Sequence, residues 1–169
     1  MKSSFLIIFP LLFLTSVALA QVKVSANQTK TMIDLYFKPY LQEPGYQINT
    51  MGEAMIKSTI DMGNYSNPSV ARIMKQIKTF KYLIFESLPD HSKEIFSKVE
   101  ANIARDKQYK EYFRSEQNDS AITFIYTRES GNKIIELATV SISKRSFTVN
   151  CFNGENINLE SIRLLTLNK

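Results

Sequence analysis

The densest pattern of apolar and polar positions lies in the last third of the chain. Ala121-Ile-Thr-Phe-Ile-Tyr-Thr127 is crowded with β-branched and aromatic residues, the side chains that suit a pleated, half-buried surface. Glu129-Ser130-Gly131 then supplies a three-residue loop with glycine at the left-handed position. Pairing Arg128 with Asn132 places Tyr126 opposite Ile134, Phe124 opposite Glu136 and Ile122 opposite Ala138, because facing residues of antiparallel strands project to the same side. A second loop, Ser143-Lys144-Arg145-Ser146, places Ile142 opposite Phe147, Val140 opposite Val149 and Ala138 opposite Cys151. The two turns agree. Together they gather Ile122, Phe124, Tyr126, Ile134, Ala138, Val140, Ile142, Phe147, Val149 and Cys151 on one face, which predicts a three-strand meander with that face as core.

Upstream, the period lengthens from two to that of a helix. Met32, Ile33, Tyr36, Phe37 and Tyr40 predict an amphipathic helix from Gln28 to about Leu41, kinked or ended by Pro39. Glu43-Pro44-Gly45 reads as a turn and Tyr46 to Asn49 as a short strand. Thr50-Met51-Gly52-Glu53 has the spacing of a capping box, opening a helix that runs to about Met62 and closes at Gly63. Its stripe of Met51, Met55, Met62, Ile56 and Ile60 reads as core filling before it reads as an adaptable binding surface. Asn67-Pro68 opens a third helix, with Val70, Ile73, Met74 and Ile77 inward. Phe80 to Phe85 alternates as a strand stopped by Pro89-Asp90, and Ile95, Phe96, Val99 and Ile103 mark a fourth helix ending near Lys107. Tyr109 to Glu116 adds a strand. Asn156 to Leu167 supplies a last helix, with Asn158 as cap and Ile162 and Leu165 inward. The sum is a single α+β domain over residues 21–169: an antiparallel sheet with a C-terminal strand meander, and helices packed mainly on one face.

Residues 1–20 stand outside that domain. Lys2 forms a positive n-region, Phe5 to Leu14 an apolar stretch and Ala18-Leu19-Ala20 a small-residue cleavage site, the anatomy of a secretory signal peptide. The apolar run is too short for a bilayer core and contains Pro10, which argues against a transmembrane anchor. Cleavage is therefore expected after Ala20, leaving a chain that begins at Gln21, with no transmembrane segment, in the periplasm or secreted. Removing Lys2 lowers the formal charge of +5 by one. The remaining excess is spread along the chain, and Lys144-Arg145 is a turn pair rather than a phosphate-binding stripe, so a nucleic-acid partner is not expected.

Candidate chemistry is sparse. The chain has one cysteine, so no internal disulfide can form, and Cys151 on the core face reads as buried rather than nucleophilic. The one histidine, His91, adjoins the helix-start residues Asp90 and Ser92 and reads as an exposed loop side chain. Nucleophile-elbow, phosphate-loop and paired-histidine motifs are missing, and nothing in the sequence calls for a metal or a cofactor. Three Asn-X-Ser/Thr sites, at Asn27, Asn64 and Asn118, carry meaning only in a host that glycosylates asparagine.

Two features remain. Glu136 falls on the core face between Phe124 and Asn153, where a carboxylate either reaches a cation at the sheet's margin or stays buried with a raised pKa. It is the weak candidate for catalysis, with Tyr126 or His91 as helper in a small envelope hydrolase. Glu136→Gln is expected to keep the fold. On the reverse face, a turn at Asn118-Asp119 places Tyr112 opposite Ile125, Ile125 opposite Ile135 and Leu137 opposite Phe152. Those five residues form a second apolar cluster. Either the first or the last helix covers it, or it is open and binds an envelope protein or a small apolar ligand.

The helix leading into Glu43-Pro-Gly-Tyr46, then Tyr82-Leu-Ile-Phe85, Tyr109-Lys-Glu-Tyr112, Ile134-Ile-Glu-Leu137 and Phe152-Asn-Gly154 followed by Ile157-Asn-Leu-Glu-Ser-Ile162, all behind a signal peptide, make up a pattern that resembles one family. It is similar to the small exported proteins, mostly from Bacteroidetes, that carry the domain of unknown function numbered 4252. The resemblance covers nearly all of the chain after the signal peptide. It implies an α+β domain in the cell envelope with no assigned activity and no catalytic residues to carry over. Many relatives look like lipoproteins, whereas here no cysteine follows the cleavage site. The functional expectation is a non-catalytic binding or interaction module, with a small hydrolase and a structural or assembly subunit as the alternatives.

Overall fold

The computed structural model describes residues 30–42, 44–63, 68–86, 91–117 and 121–158. The expected signal peptide, the three Asn-X-Ser/Thr sequences, the expected cap at Asn67, Pro89-Asp90, the expected turn at Asn118-Asp119 and the expected last helix beyond Asn158 lie outside the described residues.

Six strands form one antiparallel sheet: β1 (Tyr46–Gly52), β2 (Ile77–Glu86), β3 (Lys110–Gln117), β4 (Ala121–Ser130), β5 (Lys133–Ser143) and β6 (Ser146–Gly154). Their spatial order is β1-β2-β6-β5-β4-β3. The C-terminal meander is its contiguous heart, and β2 returns from earlier in the chain to pair with β6. Among the described residues three α-helices accompany the sheet, α1 (Glu53–Asp61), α2 (Pro68–Met74) and α3 (His91–Asp106). Among the described residues no helix is long and apolar enough to cross a membrane.

The β5–β6 register matches the expectation, with Ile142 facing Phe147, Val140 facing Val149 and Ala138 facing Cys151. The β4–β5 register does not. Ser130 pairs with Lys133 across a two-residue turn, Gly131-Asn132, so Tyr126 faces Ala138, Phe124 faces Val140 and Ile122 faces Ile142. Gly131 takes φ 59°, the left-handed conformation that a tight hairpin turn favours and glycine adopts without strain. Arg128 faces Glu136 while Glu129 faces Ile134, so Ile135 is an extra residue and the strand bulges there. The slip from the expected register is even, which preserves the core face, but the bulge reverses the alternation below it and sends Ile134 into the opposite cluster.

The first helix is also different. Its middle is a five-residue π-helical turn, Ile33–Phe37, that tightens into a 3-10 turn at Lys38–Tyr40. Thr31 and Asp34 tie its start together, the Thr31 amide and hydroxyl both donating to the Asp34 carboxylate. Pro39 has no amide hydrogen with which to continue a regular ladder. The Thr50 capping box is absorbed as well: β1 runs through Thr50 and Met51 to Gly52, held by pairing with Lys81, Phe80 and Thr79. Seven residues of sheet pairing outweigh one local capping motif. Gly63 closes the region after α1 with φ 70°, as its position implied.

Two clusters sandwich the sheet. The larger joins the N-terminal turn (Met32, Ile33, Phe37) and α3 (Ile95, Phe96, Val99, Ile103) to Phe124, Tyr126, Val140, Phe147, Val149 and Cys151. The smaller joins Ile56 of α1 and Met74 of α2 to Ile77, Ile125, Ile134, Leu137 and Ile157. Helices therefore pack on both faces rather than mainly on one, because the reverse face of the central strands is itself apolar and must be shielded from water.

Candidate functional site

The strand pairings place Arg128, Glu136, Asn153 and Thr79 in one row across the sheet, at the end of the larger cluster where the chain enters from the N-terminus. Glu136 is fully buried. Its Oε1 accepts the Met32 backbone amide at 2.9 Å, and its Oε2 accepts the Tyr109 hydroxyl at 2.8 Å and an Arg128 guanidinium N–H at 2.6 Å. Burial raises its pKa above the usual carboxylate range, while the Met32 amide, Arg128 and Tyr109 pull it down. The Arg128 guanidinium lies 5.4 Å from the Tyr109 ring centroid, a cation–π contact that adds to the ion pair. Tyr109 in turn meets Tyr36 edge-on at 5.8 Å, and the Tyr36 hydroxyl donates to Asp106 at 2.7 Å. Burial pushes the hydroxyls of Tyr36 and Tyr109 above the ordinary phenol range, and the carboxylates beside them add to that push. Cys151 is wholly buried nearby, and burial pushes its thiol well up.

Glu136 is buried with a raised pKa, as one of the two alternatives had it, and the cation it meets, Arg128, lies with it in the interior rather than at an exposed margin. The proposed helpers are elsewhere. The Tyr126 hydroxyl is buried without a hydrogen-bond partner, and His91 starts α3, exposed, beside Glu94 and the Phe85 ring. The residues that do meet Glu136 are Tyr109 and Arg128, which the sequence reading did not nominate. A two-residue turn at Gly131-Asn132 followed by a bulge would have placed Arg128 opposite Glu136, and nothing in the local pattern marks Tyr109.

Beyond Glu136 the row opens. Asn153 is 8% exposed, yet neither its carbonyl oxygen nor its amide nitrogen has a hydrogen-bond partner. It lines a cavity of about 240 Å3 together with Lys30, Thr31, Asp34, Thr50, Thr79 and Lys81. Lys81 forms an ion pair with Asp34. Burial raises the Asp34 pKa, but the donors of Lys81 and Thr31 outweigh it and the net shift is downward. A larger cleft, about 620 Å3, lies between α1, the end of α2 and the start of β2, with Ile56, Ile60, Met74 and Ile77 among its lining and with charged residues of both signs. Among the described residues no group of three or more His, Cys, Asp or Glu side chains is placed to hold a metal ion.

The five residues nominated on the reverse face do not form one open surface. Ile125 and Leu137 are buried in the smaller cluster, Ile135 and Phe152 are half-buried, and Tyr112 is 46% exposed on the outer strand. Phe113, not Tyr112, faces Ile125, because the β3–β4 pairing shifts between Glu111 and Phe113. Leu137 faces Phe152 as expected, and Ile125 faces Thr139. Cover comes from α1 and α2, whereas the first helix packs on the other face.

A family model described as a domain of unknown function, DUF4252, matches residues 40–165. No curated protein and no solved structure matches the chain.

Proposed function

Since this chain belongs to the DUF4252 family, whose description carries no activity, we propose from its own geometry that it is a non-catalytic binding module exported to the cell envelope. The observation that carries this reading is the contrast along one row of the sheet. Glu136 is sealed from solvent and its oxygens accept from three donors, so it lacks the access with which to move a substrate proton. Asn153, the next residue in the row, stands in the wall of an open polar cavity, its two amide atoms shielded and without a protein partner. The carboxylate in the cavity's described lining, Asp34, is tied to Lys81 and to Thr31, an arrangement that favours holding a ligand over moving its protons.

Export is supported by the leader anatomy of residues 1–20. The test has two arms. Intact-mass analysis of protein recovered from the envelope or medium is expected to give a chain beginning at Gln21, and a retained Met1 overturns the export reading. A thermal-shift screen against small polar molecules is expected to find saturable stabilisation without turnover. Hydrolysis of an ester or peptide substrate that co-purifies with the folded protein overturns the non-catalytic reading.

A further inference from the structure

The cavity at Asn153 has a chemistry specific enough to name a ligand class. Both polar atoms of the Asn153 carboxamide are shielded from solvent and neither has a protein partner, and a buried donor or acceptor without a partner costs stability. A ligand that supplies the missing partners recovers that loss, and one that lacks them does not. An amide presents a donor and an acceptor side by side, so its natural complement is another amide edge: a carboxamide or a peptide bond. The remaining lining adds charge of both signs. Lys81 and Asp34 face the cavity as a preformed pair, with side chains 18% and 35% exposed, and Thr50 and Thr79 add hydroxyls. No aromatic side chain is among the cavity's described lining residues, so the stacking platform that favours a sugar ring or a base is missing. The volume, about 240 Å3, falls below the roughly 300–1,000 Å3 of sites for drug-sized ligands.

We infer that this cavity binds a small zwitterion carrying an amide, of the size of a dipeptide: its carboxylate toward Lys81, its ammonium toward Asp34, and its amide edge met by the Asn153 carboxamide, which turns from its shielded position into the cavity. The inference rests on the binding-module reading and gives that reading a site and a ligand class. Asn153 supplies the selectivity, because it is the group left unsatisfied when the wrong ligand enters. The ion pair orients the zwitterion by opening to receive a charge of opposite sign on each side. Glu136, paired with Asn153 on the adjacent strand, and Arg128 are bonded to each other and do not line the cavity.

The experiment is a titration of the full chain with glycylglycine, followed by NMR at the Asn153 side-chain amide protons and by calorimetry, with N-acetylglycine and glucose as controls. Glycylglycine is expected to shift those protons saturably, N-acetylglycine to bind about tenfold more weakly for want of the ammonium, and glucose not to bind. Asn153→Leu is expected to abolish binding. Because that substitution adjoins the Glu136 network, Thr79→Val serves as a second variant on the cavity wall. It is expected to keep the thermal midpoint while weakening glycylglycine a few-fold. Asn153 protons that stay unmoved by glycylglycine in the folded protein overturn the ligand class, as does a crystal structure grown with glycylglycine in which only ordered water meets the Asn153 amide. If glucose or another non-amide molecule shifts those protons instead, the ligand class fails and the binding-module reading stands. If no small polar molecule shifts them, both fail.

Discussion

At the residue scale, the molecule's unusual feature is a carboxylate and a guanidinium placed where most of the surroundings are apolar. The two are not equally replaceable. Arg128→Met leaves Glu136 buried with no cation, and removing one partner of a buried pair destabilises by about 3 kcal/mol. Glu136→Gln keeps an oxygen for the Met32 amide and leaves Arg128, whose side chain is 11% exposed, with some access to water. Urea unfolding is expected to rank Arg128→Met as the more damaging change, with the fold of Glu136→Gln intact by circular dichroism. The reverse order would mean that the carboxylate's charge, rather than the guanidinium's, organises the network. Asp34 makes a pH prediction. Its folded pKa lies below that of an ordinary aspartate, so between the two values the unfolded chain binds more protons. Asp34 therefore stabilises the fold above the unfolded value, and that share is lost as pH falls through the folded one. The stability gap between wild type and Asp34→Asn should be widest near neutrality and close in acid. A gap independent of pH would remove the charge from the explanation.

At the element scale, the fold depends on close backbone approaches that the hydrophobic pattern does not reveal. A Cβ added at Gly154 would stand 2.1 Å from the Gln76 carbonyl oxygen, far inside van der Waals contact, where the end of β6 meets the turn before β2. Gly154→Ala must displace backbone and disturb the Ile77–Gly154 pairing. Gly52, between β1 and α1, has nothing within 4 Å of such a Cβ and a negative φ. Gly52→Ala should leave the thermal midpoint nearly unchanged and Gly154→Ala should lower it by several degrees; equal effects would show that the strand end can move away. The β4–β5 hairpin teaches the same lesson about registers. A three-residue loop ending at Gly131 and a two-residue turn beginning there are both sound readings of Glu129-Ser-Gly-Asn132. The choice between them is made by the Arg128–Glu136 contact and the bulge at Ile135, which bring together residues eight apart in sequence.

At the scale of the whole molecule, β5 and β6 are interior strands with a neighbour on each side, while β1 and β3 are edges. Hydrogen exchange is expected to be slowest in β5 and β6 and fastest in β1 and β3, because opening an interior strand breaks two ladders and uncovers both clusters. Uniform protection across the sheet would mean that it opens only by global unfolding. The outer strand β3 carries Lys110, Glu111 and Arg114, charges of the kind that discourage edge-to-edge pairing between copies.

What the sequence determined by itself is whatever depends on neighbours along the chain. The alternation in Ala121–Thr127 and Phe147–Cys151, the helical period of Ile95–Ile103 and the short loop at Ser143–Ser146 specified the meander, its core face and α3, because period and turn chemistry act over a few residues. The burial of Glu136 was legible for the same reason: an even slip in register cannot move a side chain to the other face. Only the tertiary structure decided the partners. Met32 reaches Glu136 across 104 positions of sequence and Tyr109 across 27, and Lys81 meets Asp34 because β2 crosses back to β6. The cavity at Asn153 assembles from the N-terminal turn, β1, β2 and β6. Such contacts are set by how strands order themselves in a sheet, a choice made by the summed burial of two apolar faces rather than by any segment's own pattern.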